Sequence, residues 1–229
     1  MRGTTAFDVL DGILENAAFI EWADAARAHA ATTVIFDRLL AEDELLATVI
    51  HETIASGGSK GDCESFPALD KLVLWQSADR TLRLRLHVFF PGYYDRPHNH
   101  RWSFTSRVLC GRYVHSLYGL EDEVWAAAKR GVPPAARYVS EERAGYGYFL
   151  DSSLVHSLHT DTVTVTLLLR GPAVKDGYFQ FDGAANSVMR GLGAKQEGAD
   201  ERLSKAMTSE GFSRVRTILE QQGVLSGGS

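Results

Sequence analysis

One run constrains this 229-residue chain more than any other: Thr81-Leu82-Arg83-Leu84-Arg85-Leu86-His87-Val88-Phe89-Phe90. Apolar and basic side chains alternate along it. In a strand successive side chains point to opposite faces, so Leu82, Leu84, Leu86 and Val88 share one face and Arg83, Arg85 and His87 the other. A helix would scatter both sets around its axis. The run therefore reads as a strand with one buried face in an antiparallel sheet. Leu72 to Trp75 precedes it across a hairpin-like turn, Ser77-Ala78-Asp79-Arg80. Further strand-like runs follow at 101–110, 112–119, 135–140, 146–150, 154–159, 162–170 and 177–182. Short strands in such number, parted by turn residues, predict a mainly β sandwich or barrel.

Helical periodicity flanks the strands. Phe7, Leu10 and Leu14 recur at helical spacing behind Thr4 or Thr5, which predicts a helix over 5–29. Ile35, Leu39, Leu46, Ile50 and Ile54 predict another over 33–55, with Asp43 as a candidate restart. Gly57-Gly58-Ser59-Lys60-Gly61 reads as a linker. Residues 121–130 read as a helical insertion. The segment 183–200 reads as a mobile connection or lid, and 200–222 as a terminal helix with Leu203, Met207, Phe212, Val215, Ile218 and Leu219 as its apolar positions, followed by a frayed tail. The expected organisation is an N-terminal helical region at 1–60, a barrel at 61–182, and a connection with a C-terminal helix at 183–229.

Composition excludes some functions. A net charge of −5, with no basic run, argues against a nucleic-acid surface. No apolar run approaches a membrane span. Two cysteines, Cys63 and Cys110, suit a reducing cytoplasm and unpaired thiols. The N-terminus lacks the basic start and apolar core of a secretory leader. The expectation is a cytoplasmic protein without nucleic-acid or membrane partners, with a homodimer left open.

The chemistry sits in two segments. Gly92-Tyr93-Tyr94-Asp95-Arg96-Pro97-His98-Asn99-His100 places two histidines two residues apart at the start of a strand-like run. On one strand face they lie near enough to share a metal ion. His156 lies in a second turn-and-strand segment that begins at Gly145. Neutral imidazole suits Fe, Zn, Cu and Ni, and three such ligands leave coordination positions open. The bland reading is that His98 and His100 are loop or surface residues. Trp102 and Phe104 share the parity of His100 and either dry the pocket or pack the core. Tyr146 and Tyr148 precede His156 and can offer a phenol. Asp151 is the one nearby carboxylate that could join the ligands. His115 reads either as a support behind the metal ligands or, more simply, as a satisfied strand residue, and His159 as a strand residue facing away from His156.

These segments resemble the two motifs of the cupin superfamily. Gly92, His98, His100 and Gly111 fall at the first motif's spacings, with Phe104 where that motif has glutamate. Gly145 and His156 fit the second, while Asp151, Ser153 and Thr160 replace its proline, glycine and asparagine. The resemblance implies a cupin (jelly-roll) β-barrel with a metal held by His98, His100 and His156. A three-histidine set without the glutamate resembles the thiol (cysteine) dioxygenase branch, in which iron(II) activates oxygen. Thr164 to Pro172 also resembles a strand of that branch, but Thr166, Leu168 and Arg170 stand where its Ser-His-Tyr relay would be. On that alignment Arg170 points toward the pocket. There it would anchor a substrate carboxylate or phosphate, the alternative being a solvated charge at a strand end.

The implied function is a mononuclear non-haem iron(II) oxygenase acting on a small organic substrate, bearing a thiol or a carboxylate, with O2. Its metal ligands would be His98, His100 and His156, with no further catalytic residue. Arg170, Phe104, Tyr148 and Trp102 would contact the substrate. Zn, Ni or Mn are the other candidate metals. The rival readings are a metal-dependent isomerase or lyase using a Lewis acid, and a non-catalytic ligand-binding cupin.

Overall fold

A computed structural model describes residues 4–42, 44–58, 62–182, 187–192 and 198–225. The chain opens with helices. Thr5 caps α1 (Ala6–Leu14) through a capping box in which its hydroxyl accepts from Asp8 N and its own N–H donates to the Asp8 carboxylate. A 3-10 turn (Glu15–Phe19) ends that helix. The chain is extended at Ile20, and Asp24 caps a new helix, α2 (Ala25–Ala41). The break thus falls near 20–24, inside the helix expected over 5–29, and α2 runs through the gap expected at 30–32. Local capping chemistry at Asp24 outweighed the apolar spacing on which that expectation rested. Helix α3 is Leu45–Ala55. Asp43 and the 59–61 part of the expected linker lie outside the described residues.

The β region comprises β1 (Glu64–Phe66), β2 (Leu69–Gln76), β3 (Arg83–Phe89), β4 (Tyr93–Tyr94), β5 (Phe104–Cys110) and β6 (Arg112–Leu120), then α4 (Glu121–Lys129). It continues with β7 (Tyr138–Arg143), β8 (Gly147–Leu150), β9 (Leu154–Thr160), β10 (Thr164–Arg170), β11 (Gly177–Asp182) and β12 (Ser187–Leu192). One antiparallel sheet has the order β1-β2-β3-β10-β5-β8. Facing it are β4-β9-β6-β7 and the β11-β12 pair, linked where His98 bridges to both His156 and Gln180. Neighbours that are distant in sequence, such as β3 with β10 and β4 with β9, are the crossovers of a jelly roll. The fold is mainly β, a two-sheet jelly roll with helices at both ends.

Four features differ from the sequence reading. The strand expected at 135–140 runs 138–143, and that expected from 101 starts at Phe104. Within the expected lid, 187–192 is a strand paired along its length with β11; residues 183–186 and 193–197 lie outside the described residues. The terminal helix is two, α5 (Ala199–Lys205) and α6 (Ser209–Gln221), because Thr208 caps a fresh start by accepting from Gly211 N. Leu203, expected on the apolar face, is exposed. The motif glycine Gly111 has a physical reason: its φ is 75°, and a Cβ there would lie 2.2 Å from the Val163 carbonyl oxygen.

The largest core lies between the helices and the outer face of the six-stranded sheet. Leu84, Leu86, Val88, Val165, Leu167 and Leu169 pack there with Leu10, Ile13, Phe36, Leu39 and Ile50, and with Phe212, Val215 and Leu219 of α6. Each such fully buried side chain contributes about 1.5–3 kcal/mol. This core corrects the reading of β3. The leucine face lies under the helices, so Arg83, Arg85 and His87 turn toward the space between the two sheets, where His87 is buried and the two arginines are half-buried.

Candidate metal centre

The turn after β3 places the site. Gly92 takes φ of 84°, and β4 then pairs with the end of β9. Asp95 pins the next stretch: its carboxylate accepts from Leu158 N at 2.7 Å and from the Tyr93 hydroxyl at 3.0 Å. Burial raises its carboxyl above the ordinary aspartate range, against the pull of His98 and those bonds. His98 then bridges β9, donating its N–H to His156 O at 2.9 Å and accepting from His156 N at 2.8 Å. No regular strand forms here, only the isolated bridges of His98 to His156 and to Gln180. Alternation still holds, because Asn99 turns away, is fully buried and accepts from Phe179 N at 2.8 Å.

The structure brings His98, His100 and His156 together, with one ring nitrogen of each inside a group spanning at most 4.8 Å. His100 Nε2 and His156 Nε2 are 2.9 Å apart, close to the separation of adjacent nitrogens that each sit about 2.1 Å from one metal. The outer nitrogens fix the tautomers. His98 Nδ1 lies 2.8 Å from Arg96 O, which can only accept, so Nδ1 carries the proton and Nε2 the lone pair. His156 Nδ1 lies 3.1 Å from His115 Nε2, and His115 Nδ1 lies 3.6 Å from Glu142 Oε1. Protons on both Nδ1 atoms satisfy this chain and leave the His156 Nε2 lone pair facing inward.

The electrostatics agree. Burial, and then the neighbouring imidazoles, push His100 and His156 well below the ordinary histidine range. Both are neutral, as metal ligation requires. Burial works to raise the Glu142 carboxyl, but its bonds with His115 and Ser140 prevail and hold it below the ordinary range. A charged Glu142 thus stands behind His115. Three neutral nitrogen donors, with no carboxylate among them, fit a divalent transition metal and leave positions open.

An aromatic wall flanks the histidines. Trp102 stacks on His100 with centroids 4.7 Å apart, and Phe104 meets it edge-on at 5.1 Å. Phe104 also packs with Leu150 and Leu168. The Tyr148 ring lies 4.6 Å from His115, and its hydroxyl accepts from Tyr113 at 3.1 Å. Burial pushes the Tyr148 phenol well up, so it stays protonated. Arg170 is buried, its guanidinium 5.4 Å over Trp102 and donating to the carbonyls of Thr81, Gly171 and Arg80. Burial, with Arg85 and Arg83 nearby, lowers it to about 9. Asp151 stands outside the histidine group and accepts bonds from Ser153 and Ser103. His159 faces out and contacts Tyr93 O.

Sequence reasoning misses Glu142 and leaves His115 open between a support behind the ligands and an ordinary strand residue. Tyr113, His115 and Leu117 alternate on β6, but only the register that sets Leu117 opposite His156 and His115 opposite Leu158 aims His115 at the site. Cys63 and Cys110 are unpaired. No described helix is long and apolar enough to cross a membrane.

No protein-family model matches the chain, and no curated protein matches it. Solved structures with partial likeness include an RmlC-like cupin from Shewanella frigidimarina NCIMB 400, at 19% identity over 51% of this chain and 88% of that one, with a TM-score of 0.38. The DMSP lyase DddQ from Ruegeria pomeroyi DSS-3 matches at 15% identity over 48% of this chain and 50% of its own, TM-score 0.37. The polyketide cyclase RemF from Streptomyces resistomycificus matches at 17% identity over 49% and 74%, TM-score 0.34.

Proposed function

We propose that this protein is a mononuclear non-haem iron(II) enzyme of cupin architecture, which oxidises a small organic molecule with O2. His98, His100 and His156 would hold the metal. The observation that carries the reading is the convergence of three imidazoles, with His98 and His156 committed by their outer nitrogens to present a lone pair. Bound iron(II) would supply the redox chemistry that lets dioxygen react with an organic substrate, which no side chain can supply. The rest falls to this chain's own residues. Trp102 and Phe104 keep water from one side of the site. His115 and Glu142 hold His156 in one tautomer. The missing relay residues leave thiol oxidation as one case among oxidations of thiol- or carboxylate-bearing molecules.

A Lewis-acid lyase or isomerase needs a base beside the substrate. The buried carboxylates near the histidines lie instead behind the ligands, Asp95 on the Nδ1 side of His98 and Glu142 behind His115, which itself backs His156. That placement favours the oxygenase. The test is elemental analysis of anaerobically purified wild type beside His156→Ala, followed by oxygen uptake with small acids and thiols. Near-stoichiometric iron that disappears in the variant, with substrate-dependent uptake, is the expected result. Turnover without oxygen on zinc or manganese would overturn the oxygenase in favour of Lewis-acid chemistry. Absence of metal from both samples after reconstitution would overturn the enzyme.

A further inference from the structure

The inward face of β3 carries Arg83, Arg85 and His87 into the space between the sheets. Lys71 on β2 lies opposite His87, and Arg170 on β10 lies opposite Arg83. Counter-charges for this row are scarce. Arg83 approaches Asp62 only to 3.6 Å, and Asp62 is already held by Arg80 at 2.6 and 2.8 Å. Lys71 has Glu64 at 4.0 Å. Arg170 directs its donors at backbone carbonyls. Arg85 makes no hydrogen bond or ion pair with any described residue. The Nε atoms of Arg83 and Arg85 and Nε2 of His87 are buried without a hydrogen-bond partner, and His87 is only 9% exposed.

Buried donors without acceptors are rare and destabilising; Arg83 and Arg85 are half-buried, with Nε enclosed and the outer guanidinium nitrogens of Arg85 left open to a ligand. Four basic side chains and a histidine on one interior face ask for an anion. The row also adjoins the histidines. Arg85 is level with Leu168, which packs on Phe104, and Phe104 touches the His100 ring. Arg170 lies over Trp102, which stacks on His100.

We infer that the space between the sheets holds an oxyanion subsite in which Arg85, with Arg83 and His87, binds the carboxylate or phosphate of a small molecule. A guanidinium fork matches either group with two parallel hydrogen bonds. That the rest of this molecule reaches the histidines rests on the proposed metal enzyme; the subsite itself does not.

The test is calorimetric titration of the full chain with two probes, inorganic phosphate and succinate, alongside thermal melts. Wild type is expected to bind one of them, and which one assigns the group as phosphate or carboxylate. Arg85→Gln is expected to bind that probe at least about tenfold more weakly, because the charged fork is lost. Its melting temperature in the absence of anion should not fall, since the half-buried Arg85 side chain has no hydrogen bond or ion pair to lose. Arg85→Lys, which keeps the charge without the fork, should fall between the two and serves if the glutamine variant does not fold. His156→Ala should bind the probe like wild type, so this result and that of the metal reading are read separately. Failure of both probes to bind wild type, or equal binding by the Arg85 variants, would overturn the subsite. A lower melting temperature in Arg85→Gln with unchanged binding would mark Arg85 as structural.

Discussion

At the scale of the residue, the three histidines owe their geometry to what stands behind them. His156 is oriented by His115, and His115 by Glu142, so a change two contacts away reaches the metal position. Glu142→Gln keeps the shape and removes the charge; it should lower metal affinity by about 10–100-fold, as losses of such supporting partners do. Competition against a chelator measures this, with an unchanged far-UV spectrum showing that the fold survives. His98 and His100 were legible in the sequence because their spacing is local, two residues on one extended stretch; His156 was joined to them by the resemblance of its segment to the second cupin motif. Of its support, His115 was legible only as one of two readings, and its pairing with Glu142 was not legible. It depends on the register of β6 against both β7 and β9, which pairs His115 with Ser140 on one side and Leu158 on the other.

At the scale of the element, α6 is tied to the sheet by one charge pair. Asp70 on β2 is fully buried and receives both Nε and Nη2 of Arg214 from α6, at 2.7–3.1 Å. Arg214→Ala strands that carboxylate. The guanidinium is half-exposed, so the expected cost is about 2–3 kcal/mol, below the 3–5 of a fully enclosed pair. Urea unfolding should show a lower midpoint at unchanged slope. The strands were legible at this scale because alternation and turn residues mark them. Helix ends were less so: the apolar spacing runs on through Phe19 and Leu203, whereas caps at Asp24 and Thr208 decide where α2 and α6 begin.

At the scale of the whole molecule, the interior between the sheets is basic and rich in neutral imidazole. Burial pushes His87, His100 and His156 well below the ordinary histidine range. A base whose folded pKa is depressed supports the fold above its unfolded value and loses that support as pH falls toward the folded value. For histidine the loss begins near pH 6.5, where the unfolded chain takes up protons that the folded chain refuses. The metal-free protein should therefore lose stability from about pH 6.5 downward, by at most about 1.4 kcal/mol per pH unit for each such histidine. Urea titrations of the metal-free chain at a series of pH values check the slope, and His87→Phe should make it shallower.

By itself the sequence determined the strand-rich class, the flanking helices and the His98–His100 pair, because each is written in spacing over a few residues; His156 joined the pair through the motif resemblance. Tertiary structure alone decided which way β3 faces. An alternating strand presents two faces, and the pattern does not say what covers the second. The helices covered the leucines, so Arg83, Arg85 and His87, which read as the open side of a half-buried strand, became the lining of the interior. The same holds for His115 and Glu142. Their meeting with His156 is a matter of strand register, and register is set by long-range pairing and packing across the sheet.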